Sequence, residues 1–262
     1  MSAAKALPRE ITSYDLLKTF AVVIMLVDHI GAYFFPDFLW WRSIGRIGFP
    51  IWFFLVGHAS GRDLPFKLWG SALLLVGANF VTGMPIFPLN ALVTIILIRL
   101  LIDPVMSFSK FSLSNFWGRV AILILLVPIT YSLCEYGTLG LMTAMFGYMV
   151  RNRDKFDEKL IFQFMVTVLI TFLMVQYLTF EFTIAHFAVM AVGTALIRLM
   201  LLDFKPKSYP ELTKRCGGAV TWVFQFCGRK TLEIYVAHLL LFKGLCLLLG
   251  FEHFGLLEWS WF

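Results

Sequence analysis

The chain alternates long apolar runs with short polar breaks. The runs fall at residues 15–35, 46–61, 65–83, 86–106, 117–134, 137–150, 160–180, 182–202 and 230–250. About 20 mainly apolar residues cross a bilayer core as a helix, so the pattern predicts about nine transmembrane helices, with 46–61 and 137–150 short. The breaks carry turn and charged residues, as in "FFPDF", "SGRDLP", "TGMPIFPLN" and "RNRDKFDEK". No internal repeat is visible, and no polar segment is large enough for a soluble domain. The reading is one all-α, polytopic membrane bundle over residues 1–262. "AVTWVFQFC" (219–227) is too short to cross and, flanked by cations, reads as an interfacial helix. Polar residues 1–14, followed by a run long enough to span, read as no cleavable leader.

Composition agrees with this pattern. The chain is 60% hydrophobic and 15% charged, against about 45–50% and 25% in soluble domains. Its solvent is predicted to be the lipid bilayer. The net charge of +6 lies between the runs, which points to membrane topology and not to nucleic acid. With nine crossings and a cytoplasmic N-terminus, 17 lysines and arginines fall inside, Lys5 and Lys110 among them. Only Arg42 and Arg46 fall outside, and the C-terminus is also outside. The four cysteines show no metal-ligand spacing and read as packing residues, and the 28 phenylalanines as packing and lipid-facing material. No metal is expected.

Against this background "KTFAVVIMLVDHIGAYFF" (18–35) stands out, because Asp28 and His29 interrupt a hydrocarbon helix. Ionisable groups inside a membrane span are costly and mark functional sites. Lys18 and His29 are eleven residues apart. At 3.6 residues per turn they share a face, about 16 Å apart along the axis. Asp15 lies near the same face. A cation at the inner surface and an imidazole deep in the membrane suit a long, thin ligand with an anionic head. Acyl-CoA has that shape, with its thioester at the tip.

A basic residue, ten intervening residues and a histidine in the first span, here "KTFAVVIMLVDH", resemble the hallmark of the acyltransferase-3 group of membrane enzymes. "GRKTLEIYVAHLLLF" resembles that group's terminal helix. More closely, "LLKTFAVVIMLVDHIG" and "RSIGRIGFPIWFFLVGHASGR" resemble the TraX family. The resemblance implies an enzyme of the bacterial inner membrane that takes acetyl from cytoplasmic acetyl-CoA. Its acceptor would be an amine or hydroxyl at the outer side, a pilin N-terminus or an envelope glycan. His29 would be the general base, or would carry the acetyl itself. Asp28 would orient the imidazole or pair with Arg42 or Arg46, and either arginine would stabilise the oxyanion.

Donor-binding candidates are Lys18, His58 and Arg62 at the inner end, and Glu233, Tyr235 and His238 on the last helix. Glu233 is expected to pair with Lys18 or Arg62, and His238 to line the donor path or reaction centre. Arg99 and Asp103, four apart, read as an intrahelical ion pair, and Lys243 as snorkelling to the outer surface. Glu135, Glu181 and His186 lie at the outer ends of helices, where an outside acceptor would meet them, and as lone residues read as solvated caps. Two other classes fit a basic helical bundle: a transporter or flippase, and a non-enzymatic pilus or envelope assembly protein. The sequence fixes no oligomeric state.

Overall fold

The first helix begins where the sequence can satisfy its free amides. Thr12 Oγ1 accepts from the Asp15 amide, and Asp15 Oδ2 accepts from the Thr12 amide at 3.0 Å, a reciprocal capping box. Helix α1 then runs Ser13–Phe34 and ends just before Pro36. The computed structural model describes residues 8–108 and 112–262, so Lys5 and Lys110 lie outside the described residues. Along the chain follow α2 (Trp40–Gly45), a 3-10 turn (Arg46–Gly48), α3 (Phe49–His58), α4 (Phe66–Thr82), α5 (Ala91–Phe108) and α6 (Leu113–Leu125). Next come α7 (Val127–Leu133), α8 (Gly137–Arg151), a 3-10 turn (Arg153–Lys155), α9 (Glu158–Thr179), α10 (Ile184–Leu202), α11 (Pro210–Arg229) and α12 (Thr231–Leu249). Among the described residues there is no strand, only the isolated bridges Thr12–Ser208 and Leu89–Cys134.

Every apolar window carries helix, but three depart from a straight crossing. The window 46–61 holds a 3-10 turn and a helix of only 10 residues, with Pro50 in its first turn. The window 117–134 is broken by 51° between α6 and α7, where Pro128 opens the second helix. The window 137–150 is α8, and twelve of its 15 residues are buried by protein. Among the described residues four helices (α1, α9, α10 and α12) are long and apolar enough to cross a membrane, or five if α6–α7 is one bent crossing. Large apolar side chains on their outer faces are exposed, among them Val23, Leu178, Ile184 and Leu248. That surface requires a lipid solvent. The interfacial helix expected at 219–227 is the second half of α11, which is kinked at Gly217 (φ 69°). It exposes Val220, Trp222, Val223 and Phe226.

The core centres on α8, which packs against α3, α5, α7 and α9. Phe49, Phe53, Phe54, Phe146, Phe164 and Phe172 fill it. A smaller apolar cluster joins α4, α5 and α12 through Leu68, Leu75, Ile96 and Leu239. The contact between α3 and α8 is backbone to backbone. A Cβ on Gly57 would overlap the Ala144 carbonyl, and one on Gly147 the Phe54 carbonyl. The C-terminal residues strap the α4–α5 turn, with Ile86 and Phe87 amides donating to the Ser260 and Trp261 carbonyls at 3.0 and 2.8 Å.

Gly57→Val or Gly147→Val should therefore destabilise the purified protein by about 1–3 kcal/mol or more, seen as a lowered thermal midpoint in detergent. Gly218→Ala, with nothing within 4 Å of the added carbon, should stay within about 0.5 kcal/mol. Equal midpoints for all three would refute the close α3–α8 approach.

Candidate functional site

A cavity of about 960 Å³ runs along the face of α1 that carries both Lys18 and His29. One end is basic: Lys18, Arg99, Arg151 and Lys205 line it, with Asp63. The Lys18 ammonium forms no hydrogen bond or ion pair with a described residue. Arg99 is held by the Asp63 carbonyl, and Arg151 donates to the His58 carbonyl at 3.1 Å. Tyr14, His58 and Phe204 form an aromatic wall there, with Tyr14 Oη 3.2 Å from His58 Nδ1. The middle is apolar, lined by Met25, Phe49, Trp52, Val56, Leu68 and Ile95. The far end is polar again, with His29, Asp28, Arg46, Glu135, Tyr136 and Tyr235.

His29 is oriented by a second histidine. His29 Nδ1 lies 2.7 Å from His238 Nε2, and the rings stack with centroids 4.9 Å apart. His238 Nδ1 in turn lies 2.7 Å from the Ile234 carbonyl oxygen. Only a donor can meet that carbonyl, so His238 Nδ1 carries the proton and, in a neutral ring, Nε2 accepts. His29 Nδ1–H then donates to His238, and a neutral His29 keeps its Nε2 lone pair for another group. The contacts thus select the tautomer a general base needs.

Asp28 is turned away from this pair. Its Oδ2 lies 2.9 Å from Arg42 Nη1, which also donates to the Asp28 carbonyl at 2.9 Å, and its Oδ1 lies 3.5 Å from Arg46 Nε. Arg46 Nη1 donates to Tyr136 Oη at 3.0 Å, and both guanidiniums lie over the Phe180 ring. Of the two roles open to Asp28, pairing with the arginines is therefore the one observed, and His238 replaces it as the partner of His29.

Lys18, Asp28, His29, Arg46, His58 and Tyr235, six of the nine candidates, line one cavity. The other three candidates do not. Arg62 caps the end of α3, donating to the Ala59 carbonyl at 2.6 Å, and pairs with Asp103 at 3.2 Å. That pairing replaces the expected Arg99–Asp103 pair. Glu233 pairs with Lys67 at 2.6 Å and Lys230 at 3.3 Å, not with Lys18 or Arg62, because α12 packs on α4. His238 lies behind His29. Lys243 does not snorkel: it is buried and donates to Asn79 Oδ1 at 2.6 Å.

Glu135 is not a solvated cap but lines the far, polar end of the cavity, its Oε2 accepting from the Ala91 amide at 3.0 Å. Glu181 is exposed, and His186 packs edge-on against Trp40. Sequence reasoning missed Arg151, Lys205 and Tyr136. The two cations are indistinguishable from loop charges, and Tyr136 is signalled only by the "CEYG" turn.

A model of the family described as TraX protein matches residues 13–245. An uncharacterized protein of Rickettsia prowazekii (strain Madrid E) is 32% identical over 155 residues, 57% of this chain and 60% of the relative. Protein TraX of Escherichia coli is 26% identical over 152 residues, 56% of this chain and 59% of the relative. The chain thus spans about three-fifths of the length of the curated relatives it matches. No solved structure matches it.

Removing one side of a buried ion pair leaves an uncompensated charge and costs about 3–5 kcal/mol. Asp28→Ala should destabilise the protein by that order, since it strands two arginines. Lys67→Ala, at an exposed pair, should change it by about 1 kcal/mol or less. Thermal unfolding of both variants in detergent checks the ranking, and a smaller loss in Asp28→Ala than in Lys67→Ala would overturn it.

Proposed function

The chain belongs to the TraX family, and from that premise we propose that it is an integral membrane acyltransferase of the acyltransferase-3 kind, moving acetyl from acetyl-CoA to an amine or hydroxyl. The observation that carries this reading is the single cavity shared by Lys18 and His29. Its lining suits the donor, because one cavity offers cations at one end, apolar walls along the middle and a base at the other. Lys18, Arg99, Arg151 and Lys205 would take the donor's phosphates. The Tyr14–His58–Phe204 wall gives the nucleotide base a surface to stack on. The pantetheine arm would lie along Trp52, Val56 and Ile95, bringing the thioester to His29.

In this mechanism His29 Nε2 removes the acceptor's proton as the acceptor attacks the thioester carbon. Arg46, pre-aimed by Asp28 and Tyr136, stabilises the developing oxyanion. The C–S bond then breaks and the CoA thiolate leaves toward the basic end. His238 acts as a positioning residue by fixing the tautomer of His29. The topology that goes with it has nine crossings in a bacterial inner membrane, with the N-terminus cytoplasmic and the C-terminus outside. That arrangement puts donor entry in the cytoplasm and the acceptor, a pilin N-terminus or an envelope glycan, at the outer side.

Radiolabelled acetyl-CoA added to membranes containing the protein, followed by extraction of the labelled product, tests the reading. Wild type should transfer label, and His29→Gln should reduce transfer by roughly 10²–10⁴-fold, the usual worth of a general base. Lys18→Ala should raise the KM for acetyl-CoA more than it lowers kcat. Absence of saturable acetyl-CoA binding would discard the enzyme in favour of a non-catalytic assembly role, and full activity in His29→Gln would discard His29.

A further inference from the structure

Glu135 takes part in none of these steps, yet the fold goes to some length to place it. It lies between α7 and α8 with its backbone fixed on both sides. Its amide donates to the Leu89 carbonyl at 2.8 Å, and its carbonyl accepts from Thr94 Oγ1 at 2.6 Å. Its Oε2 accepts from the amide of Ala91, the first residue of α5. The next residue, Tyr136, has φ 68°, a left-handed conformation that bulky residues rarely adopt. Such strain persists only where surroundings enforce it, and it clusters at functional sites. Here it delivers two successive side chains to the same cavity end. Tyr235 completes that wall, with its ring 6.1 Å from that of His29.

A carboxylate in a membrane bundle calls for a cation. Arg46 and Lys243 are within electrostatic reach of Glu135, as is the like-charged Asp28. Neither cation forms an ion pair with Glu135: Arg46 meets Asp28 and Tyr136, and Lys243 donates to Asn79. Among the described residues no lysine, arginine or histidine forms an ion pair with Glu135.

We propose that Glu135 is the acceptor-recognition residue, its carboxylate receiving the ammonium of a primary amine at the cavity end that Tyr136 and Tyr235 also line. This rests on the acyltransferase reading and deepens it. The bound ammonium gives one proton to His29 Nε2, and the neutral amine attacks the thioester carbon. The C–N bond forms and the C–S bond breaks. The amine nitrogen's surplus proton goes to the departing thiolate, and the proton on His29 is later released to water. An alcohol offers Glu135 no cation.

The test uses the full chain in lipid nanodiscs with radiolabelled acetyl-CoA and two isosteric probes, phenethylamine and phenethyl alcohol. Wild type should favour the amine by at least about tenfold. Glu135→Gln keeps an oxygen for the Ala91 amide but loses the charge. It should raise the KM for phenethylamine by roughly ten- to a hundredfold, leave the KM for acetyl-CoA unchanged, and abolish the preference over the alcohol. Glu135→Asp should keep the preference. An unchanged amine KM in a Gln variant that still acetylates would overturn the role of Glu135 and leave the acyltransferase reading standing. Equal losses in the Asp and Gln variants would make the role structural and overturn the proposal. A wild type that neither binds acetyl-CoA nor labels any acceptor would overturn both readings.

Discussion

A carboxylate clamped by two guanidiniums inside a lipid-facing bundle determines how the first helices are arranged. Taking ions out of water costs several kcal/mol each, and only close, well-aligned partners offset that. Asp28 finds both partners on the segment that follows α1, with Arg42 on α2 and Arg46 in the 3-10 turn. Drawing that segment against α1 breaks a window that reads as one continuous helix. What remains, α3, is 10 residues long, about 15 Å and half the thickness of a hydrocarbon core. The cavity runs beside α1 and is walled by α3 through Phe49, Trp52 and Val56.

The histidine pair meets the same constraint with neutral groups. A lone imidazole between helices would leave a donor or acceptor unsatisfied. Stacking His29 on His238, and ending the chain of hydrogen bonds at the Ile234 carbonyl, satisfies all but one nitrogen lone pair. That vacancy falls at the cavity end. The fold's need for polar satisfaction and the chemistry's need for a free base are thus met by one arrangement of α1 and α12.

Much of this is legible in the sequence because spacing on one helix is rigid. Lys18 and His29 are fixed on a common face by helical geometry alone, and the structure puts both in one cavity. The TraX likeness of the first two helical windows extends, at family level, over residues 13–245. Pairings between helices were not legible. Glu233 meets Lys67, Arg62 meets Asp103 and Lys243 meets Asn79, and each depends on which helices pack together. Hydropathy counts residues, so it cannot distinguish a window facing lipid from one enclosed by protein. Helix α8, the most buried of the short windows, has the same signature as a crossing helix. The break at α6–α7 could have been suspected from Pro128, whereas the turn that aims Glu135 and Tyr136 depends on a left-handed residue that no local propensity announces.

Pairing also separates the charges that build the protein from those free to act. Asp15 caps α1 and binds Arg229 at 3.2 Å, which holds α11 against α1. Asp28 is held twice over. Both sit on the helix that carries the proposed site, and both are spent on architecture. On the same helix, Lys18 and His29 line the cavity, the Lys18 ammonium without such a commitment and His29 bonded only to His238. Helix α1 is thus a rail fastened at both ends by ion pairs, with its uncommitted polar groups spaced along the interior. A bundle assembled only by burying apolar surface would have no reason to align those groups along one cavity. Polar groups that contribute nothing to packing are costly to retain in a membrane, and their alignment here favours the proposed site over a packing defect.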